Sequence, residues 1–214
     1  MTDIRSFKTA FPETFLKSYQ DGVMRYTYRG VRCLKSPVDI AIYMKLLWDL
    51  KPNLIVEVGS HSGGSALMLA DLATAFQLKP KIVSIDLARP EGVSDDRVTF
   101  VEGDVSDLEA VFSRLGLGEI PHPWFVSEDS AHTFSGCLAA LKYLASVMTA
   151  GDILSMEDGV LDELNLSDRY DGGPNRAIRT FLEEFPGCFE IDTALCDMFG
   201  TNATYNPNGY LRKL

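Results

Sequence analysis

A glycine-rich segment directly after a short apolar run carries residue types that suggest a cofactor loop. It reads Glu57-Val-Gly-Ser-His-Ser-Gly-Gly-Ser65, so Gly59 and Gly64 fit the outer positions of a G-x-G-x-x-G pattern. In dinucleotide-binding proteins the middle glycine lets the backbone approach a pyrophosphate, and here His61 holds that position. The acidic Glu57 favours a cationic ligand over a phosphate. S-adenosylmethionine is therefore favoured over NAD, and a purely structural glycine-rich turn is the alternative.

Further carboxylates follow the next two apolar runs. Asp86 ends one run, and Asp104 comes shortly after the other. Ligands of parallel sheets bind beyond the carboxyl ends of the strands. We therefore expect Asp86 to accept hydrogen bonds from ribose hydroxyls and Asp104 to lie on the adenine side. The full set of predicted cofactor-binding residues is Glu57, Gly59, Ser60, His61, Gly63, Ser65, Asp86, Asp104 and Asp129.

Three acidic residues, Asp129, Glu157 and Asp158, stand at the ends of two strands predicted to be neighbours. Carboxylates that converge without basic partners repel one another, so a bound cation is expected. Oxygen ligands select hard ions, and Mg²⁺ is the first choice, with Mn²⁺ or Ca²⁺ as alternatives. Separate, solvated turn residues are the other interpretation.

His132 lies three residues after Asp129. A histidine beside a cation site can act as a general base towards a hydroxyl, because its unperturbed pKa of ~6.5 is close to working pH. The alternative is a half-buried histidine at the start of a helix. His61 and His122 have weaker claims to a catalytic role.

The elements that must position these residues alternate between strand and helix patterns from residue 53 to 158. This order predicts a three-layer α/β fold, with a mostly parallel sheet covered on both faces and an antiparallel C-terminal edge. Aromatic residues at steps of four, from Phe7 to Tyr19, predict an N-terminal helix, and Ser106-x-x-Glu109 predicts a capping box. We expect one domain over 1–214, with a helical cap at 1–50 and a catalytic core at 51–214.

Composition disfavours several classes of partner. The chain has 20 Lys and Arg against 30 Asp and Glu, a net charge of −10, which disfavours nucleic acid and anionic membranes. The four cysteines form no C-x-x-C pair, the first five residues do not resemble a signal peptide, and no apolar stretch approaches ~20 residues. A cytoplasmic protein is expected.

In their order and spacing, several motifs resemble the cephalosporin hydroxylase / rhamnosyl O-methyltransferase family. The resemblance implies a Rossmann-like class I methyltransferase fold of seven strands, S-adenosylmethionine as cofactor, and a homo-oligomer. It also implies that Asp129, Glu157 and Asp158 hold a divalent ion, usually Mg²⁺. The motifs that carry the resemblance are Tyr28-x-Gly30, Lys35-x-Pro37, Lys51 to Gly59, Gly63 to Ser65, Asp129 to Thr133, the Glu157-Asp158 pair and Asn208 to Leu211.

Two neighbouring activities are less favoured. Enzymes similar to catechol O-methyltransferase carry a lysine three residues after the first metal aspartate, and here that place is held by His132. The role of base therefore falls to the histidine. A non-haem iron hydroxylase needs two histidines and a carboxylate at one metal, whereas this chain has three histidines in all and no H-x-[DE] pair.

We therefore predict an S-adenosylmethionine- and Mg²⁺-dependent O-methyltransferase that acts on a hydroxyl of a small molecule, such as a sugar or glycosylated natural product. A hydroxylase or oxidoreductase on the same fold, and a non-catalytic cofactor-binding protein, are the alternatives. The loop residues that could reach the acceptor are Tyr26, Tyr28, Arg29, Tyr170, Asn175 and Tyr205.

Overall fold

The computed structural model describes residues 5–214, so the first four residues of the predicted N-terminal cap lie outside the described residues. The strands are β1 (Thr27–Tyr28), β2 (Val31–Arg32), β3 (Leu54–Val58), β4 (Lys81–Asp86), β5 (Val98–Glu102), β6 (Trp124–Glu128), β7 (Ile153–Met156), β8 (Phe189–Ile191) and β9 (Tyr210–Lys213). The helices are α1 (Glu13–Val23), α2 (Pro37–Leu50), α3 (Gly64–Ala75), α4 (Leu108–Leu115), α5 (Phe134–Val147), α6 (Gly173–Glu184) and α7 (Thr193–Cys196).

Seven of these strands form the central sheet, in the order β5-β4-β3-β6-β7-β9-β8. The strands from β5 to β7 are parallel, and β9 runs antiparallel to both β7 and β8. The predicted α/β fold, with its antiparallel C-terminal strand, is confirmed. Strands β1 and β2 form a separate antiparallel hairpin.

Alternation along the strands divides the core between the two faces of the sheet. Leu54, Val56 and Val58 of β3 pack into the core that includes α4, α5 and α6. Ile55 faces the other core, which includes α2 and α3. Because β3 and β6 are buried along their whole length, their apolar residues are nearly continuous, as in a sheet covered on both faces.

The predicted N-terminal helix is shorter than its aromatic pattern. Helix α1 begins at Glu13 because Pro12, which cannot donate a backbone hydrogen bond within a helix, stands at its N-cap. Phe11, Phe15 and Tyr19 still form one ring cluster, with centroids 4.9–5.6 Å apart. Phe7 packs instead into the main core, under the guanidinium of Arg179.

Two helix starts show how the chain begins helices near the sheet edge. The Ser36 side chain accepts a hydrogen bond from the Asp39 amide at the start of α2, with Pro37 in the first turn. The predicted capping box at Ser106 is wrong, because Asp107 caps α4 by accepting from the Ala110 amide.

No helix within 5–214 has both the length and the apolar character needed to cross a membrane.

Candidate active site

A cavity of about 790 Å³ opens where the parallel strands end. Its wall includes residues that follow β3, β4, β5, β6 and β7, as expected for the carboxyl edge of such a sheet. Of the predicted site residues, all of which the structure describes, Glu57, Gly63 and Glu157 lie outside the wall. The predicted residues in the wall are Gly59, Ser60, His61, Ser65, Asp86, Asp104, Asp129, His132 and Asp158.

The loop after β3 is held tightly against the loop after β6. Gly59 adopts φ +106°, and a Cβ at this position would lie 2.0 Å from the backbone oxygen of Asp129. Gly64 opens α3, where a Cβ would lie 2.2 Å from the carbonyl oxygen of Arg32. Both glycines therefore allow a neighbouring stretch of backbone to approach closely. The sequence pattern alone does not decide between a structural turn and a ligand-binding turn.

Glu57 lies beneath this loop and is fully buried. Its Oε2 accepts a hydrogen bond from Ser84 at 2.6 Å, whereas Oε1 has no partner among residues 5–214. Burial raises the pKa of Glu57 to about 7, although the nearby Lys35 ammonium opposes this shift. A buried acceptor without a partner next to the cavity loop suits a cationic ligand.

Asp86 and Asp104 also shape the cavity by fixing backbone. Asp86 accepts hydrogen bonds from the amides of His61 and Leu87, both at 2.7 Å. Asp104 accepts from the amide and the hydroxyl of Ser106, each at 2.8 Å. Their predicted contacts with ribose and adenine stay predictions.

Asp129, whose backbone packs against Gly59, converges with His132 and Asp158. They each offer one atom to a group of possible metal ligands that lie within 4.8 Å of one another. The His132 Nε2 atom lies 3.3 Å from Asp158 Oδ2 and 3.7 Å from Asp129 Oδ1. His132 and Asp158 both adopt positive φ values, 54° and 60°, which are uncommon outside glycine, although Asp and His adopt them more often than most residues. Such conformations cluster at functional sites.

The expectation that these carboxylates have no basic partner is wrong. The Lys35 side chain is only 2% exposed, and its Nζ lies 2.5 Å from both Asp129 Oδ2 and Glu157 Oε1. Burial disfavours the ammonium, but the two carboxylates outweigh burial and raise the pKa of Lys35 well above its usual value. Lys35 is therefore a buried cation within the acidic centre.

Glu157 is drawn away from the cavity. Its Oε1 accepts hydrogen bonds from Tyr43 at 2.5 Å and from the Ser127 hydroxyl, in addition to Lys35. The structure thus brings Asp129 and Asp158 together with His132, and holds Glu157 behind them. Its predicted role as a metal ligand stays a prediction.

Burial and the neighbouring carboxylates have opposite effects on the pKa of His132. Burial disfavours the imidazolium, but Asp158 and Asp129 outweigh burial and raise the pKa of His132. The ring contacts Tyr170 edge-on at 5.9 Å, and its Nδ1 has no hydrogen-bond partner within residues 5–214.

The candidate acceptor residues divide into two groups. Tyr170 and Tyr205 line the cavity. Tyr28 donates instead to Asp71 at 2.9 Å, and Arg29 forms ion pairs on the same surface. The Asn175 side chain is buried, and it donates to the Gly159 carbonyl at 2.7 Å.

Sequence reasoning missed several wall residues. Lys35 is the most important, and the sequence indicates it only through the Lys35-x-Pro37 motif, which gives it no role in the site. The other missed residues on the acceptor side of the wall include Gln20, Met24, Leu34, Leu166 and Arg169.

Comparisons with known proteins agree on one family. The model of the family described as Rhamnosyl O-methyltransferase/CmcI matches residues 20–214. The chain is 34% identical over 190 residues to a rhamnosyl O-methyltransferase of Mycobacterium leprae (strain TN), covering 86% of this chain and 82% of the relative. It is 30% identical over 210 residues to a rhamnosyl O-methyltransferase of Mycobacterium tuberculosis (strain ATCC 25618 / H37Rv), covering 94% and 84%.

A solved structure with the same architecture is named cmcI-D160 Mg-SAM. It aligns with a TM-score of 0.68 at 28% sequence identity, covering 89% of this chain and 77% of that chain.

Proposed function

The chain belongs to the rhamnosyl O-methyltransferase/CmcI family, and from that premise we propose how its cavity performs methyl transfer. The protein is an S-adenosylmethionine-dependent O-methyltransferase whose acceptor is a hydroxyl of a sugar or glycosylated small molecule. The observation that carries the proposal is one cavity whose wall contains both the Gly59 loop and His132, which lies beside Asp129 and Asp158.

The residues around the Gly59 loop suit the cofactor. The unpartnered Glu57 oxygen places negative charge beneath the loop, and Ser65 lines the cavity above it. We assign Glu57, Gly59 and Ser65 to the methionine end, Asp86 to the ribose and Asp104 to the adenine side. When bound, S-adenosylmethionine supplies a methyl group on a positively charged sulfur. The chain orients this group and the acceptor hydroxyl in one enclosed volume, which is the main source of rate in such a transfer.

The acidic centre suits a divalent ion. Burial raises the pKa of both Asp129 and Asp158, so a cation that neutralises them would relieve an unfavourable arrangement. Asp129 and Asp158 would hold the ion from the cavity side, with Glu157 as the third ligand once Lys35 releases it. When bound, Mg²⁺ supplies positive charge that lowers the pKa of a nearby hydroxyl.

His132 is the group placed to take the acceptor proton. Its Nε2 points to the carboxylates, so a hydroxyl beside them would lie within reach of this nitrogen. Asp158 and Asp129 then stabilise the imidazolium that forms. Tyr170, whose ring edge meets the imidazole, restricts the ring and forms part of the acceptor wall.

The remaining parts of the proposal concern the whole chain. We retain a single domain with a cap at 1–50 and a core at 51–214, a cytoplasmic location, a homo-oligomer, and no nucleic-acid or membrane partner. The net charge of −10 supports the last of these, because such a surface repels phosphate-rich partners.

Calorimetric titration with S-adenosylhomocysteine, in EDTA and again in Mg²⁺, tests the cofactor half of the proposal. Micromolar binding in both conditions is expected, because Glu57, Gly59, Ser65, Asp86 and Asp104, which we assign to the cofactor, are not among the proposed metal ligands. Absence of binding in both conditions would show that the loop is structural or serves another cofactor.

A further inference from the structure

Lys35 is the buried charge that the methyl-transfer chemistry leaves unused. It lies one residue before the N-cap of α2, and that helix start is anchored by Asp39, which accepts from the Tyr205 amide at 3.0 Å and from Tyr210 at 2.7 Å. The backbone of Lys35 is therefore fixed by its neighbours, and its side chain reaches into the acidic centre from a well-defined position.

The Lys35 ammonium lies between two of the carboxylates that are proposed to bind the metal. Its Nζ lies 2.5 Å from one oxygen of Asp129 and 2.5 Å from one oxygen of Glu157, which come from the ends of adjacent strands. Together with Tyr43 and Ser127, this contact holds Glu157 outside the cavity wall, while Asp129 and Asp158 remain in it. One ammonium thus bridges two of the three carboxylates that a divalent ion would need.

We propose that Lys35 is an internal counter-ion that competes with the divalent metal for Asp129 and Glu157. In the metal-free protein the ammonium holds the two carboxylates in place and limits their repulsion. Metal binding displaces the ammonium and releases Glu157 towards the cavity, so the two cations exclude each other. This inference rests on the proposed metal site, and it makes Lys35 a positioning residue that sets metal affinity.

If Lys35 competes with the metal, its removal should raise metal affinity, whereas removal of a purely structural lysine should not. Removing a positive charge from the centre removes both a competitor and a source of repulsion towards a divalent ion. Lys35→Met, which keeps the length of the side chain, should therefore bind Mn²⁺ at least about tenfold more tightly than the wild type. The metal-free variant should unfold at a lower temperature, since its buried carboxylates lose their partner, and Mn²⁺ should restore the loss.

The experiment measures binding of Mn²⁺ alone, without cofactor, by calorimetry or by electron paramagnetic resonance of the free ion. Lys45→Met is the matched control, because Lys45 is 55% exposed and pairs with Asp49 on the surface of α2. Its Mn²⁺ affinity should equal that of the wild type. A folded Lys35→Met protein with unchanged or weaker Mn²⁺ affinity would overturn the inference.

A second measurement needs no variant that might fail to fold. In wild-type protein, the ammonium resonance of Lys35 should shift or disappear when saturating Mg²⁺ is added, because the ion pair is broken. An unchanged resonance at saturation would contradict displacement.

Asp158→Asn distinguishes failure of the proposed metal site from failure of the proposed role of Lys35. If Mn²⁺ binds the wild type but not this variant, the metal site is supported. The Lys35→Met variant then decides the role of Lys35 alone. If the wild type binds no Mn²⁺, both proposals fail.

Discussion

His132 combines three features that a general base in this cavity requires. Its Nε2 lies 3.3 Å from Asp158, its side chain is 18% exposed, and its backbone has a positive φ of 54°. The Thr133 side chain caps α5 immediately after His132, so the histidine stands at a fixed helix start. Its distances to Asp158 and Asp129 place the ring beside the acidic centre.

His132→Ala should lower turnover by at least about a hundredfold, because general-base catalysis typically contributes that much. Affinity for S-adenosylhomocysteine should stay within about twofold of wild type, since His132 is not among the residues assigned to the cofactor. His122→Gln, at the amino end of β6, is the control and should turn over normally. Equal turnover of His132→Ala and wild type would remove His132 from the chemistry.

Glu57 should make cofactor affinity depend on pH. Because the pKa of buried Glu57 is raised to about 7, the unliganded protein keeps this carboxyl largely protonated at pH 6. An ammonium ligand favours the ionised form, so S-adenosylhomocysteine should bind about tenfold more tightly at pH 8 than at pH 6. Calorimetry across this range should show the slope in wild type and a flat profile in Glu57→Gln.

The raised pKa of Glu57 also determines the direction in which the free energy of unfolding should change with pH. A carboxyl whose folded pKa lies above its unfolded value keeps its proton longer in the folded state. Its contribution to the free energy of unfolding is fully present below about pH 4.5, the ordinary value, and is lost as pH rises to about 7. A slope of the opposite sign that depends on Glu57 would contradict this assignment.

At the scale of elements, the site depends on contacts between successive strand ends. The amide of Gly59 donates to the Ile85 carbonyl at 2.7 Å, and the amide of Asp129 donates to the Val58 carbonyl at 2.8 Å. The sheet ladder therefore continues past the strands and fixes the loops that bear the cofactor and metal residues.

Gly59→Ala tests this arrangement. The new Cβ would lie 2.0 Å from the Asp129 carbonyl oxygen, and the positive φ disfavours alanine, so the two loops must separate. S-adenosylhomocysteine affinity should fall by at least about tenfold, or about 1.4 kcal/mol. Gly118→Ala, where a Cβ meets no atom within 4 Å, should bind normally. Matching affinities for both variants would show that the close approach is unimportant.

Asp39 ties α2 to the loop before β9. Its carboxylate accepts from the Tyr205 amide, the Tyr210 hydroxyl and the Thr204 hydroxyl, and it is 1% exposed. Asp39→Ala should lower the free energy of unfolding by roughly 2–4 kcal/mol, because several buried donors lose their acceptor. Denaturant unfolding should detect this change, whereas the exposed Asp49→Ala on the same helix should differ from wild type by at most about 0.5 kcal/mol.

Element order could be predicted from sequence because its signals are local. The apolar runs of β3, β4, β6 and β7 and the glycine that ends β3 lie within short windows, and the structure confirms them. The start of α1 was misplaced because the aromatic period continues through Pro12, where helical geometry cannot. The rings of Phe11 and Tyr19 are nevertheless in contact, although Phe11 lies before the start of α1.

At the scale of the whole molecule, the site is assembled from residues far apart in the chain. Lys35 pairs with Asp129 across 94 positions and with Glu157 across 122. A local pattern cannot reveal such a pair, so the strand-end carboxylates were predictable and the cation between them was not. The overall charge of −10 gave no hint either, since a buried ion pair does not change the net charge.

The most direct test of the central claim is product analysis by mass spectrometry. Wild-type protein, S-adenosylmethionine and a panel of rhamnosides and other hydroxylated glycosides are incubated with Mg²⁺ or with EDTA. Equimolar S-adenosylhomocysteine and monomethylated glycoside are expected in Mg²⁺, with a rate lower by about a hundredfold or more in EDTA. Product formation that is equal in EDTA would contradict the metal centre. Absence of any methylated product, with oxygen or NAD(P)H consumed instead, would contradict O-methyl transfer itself.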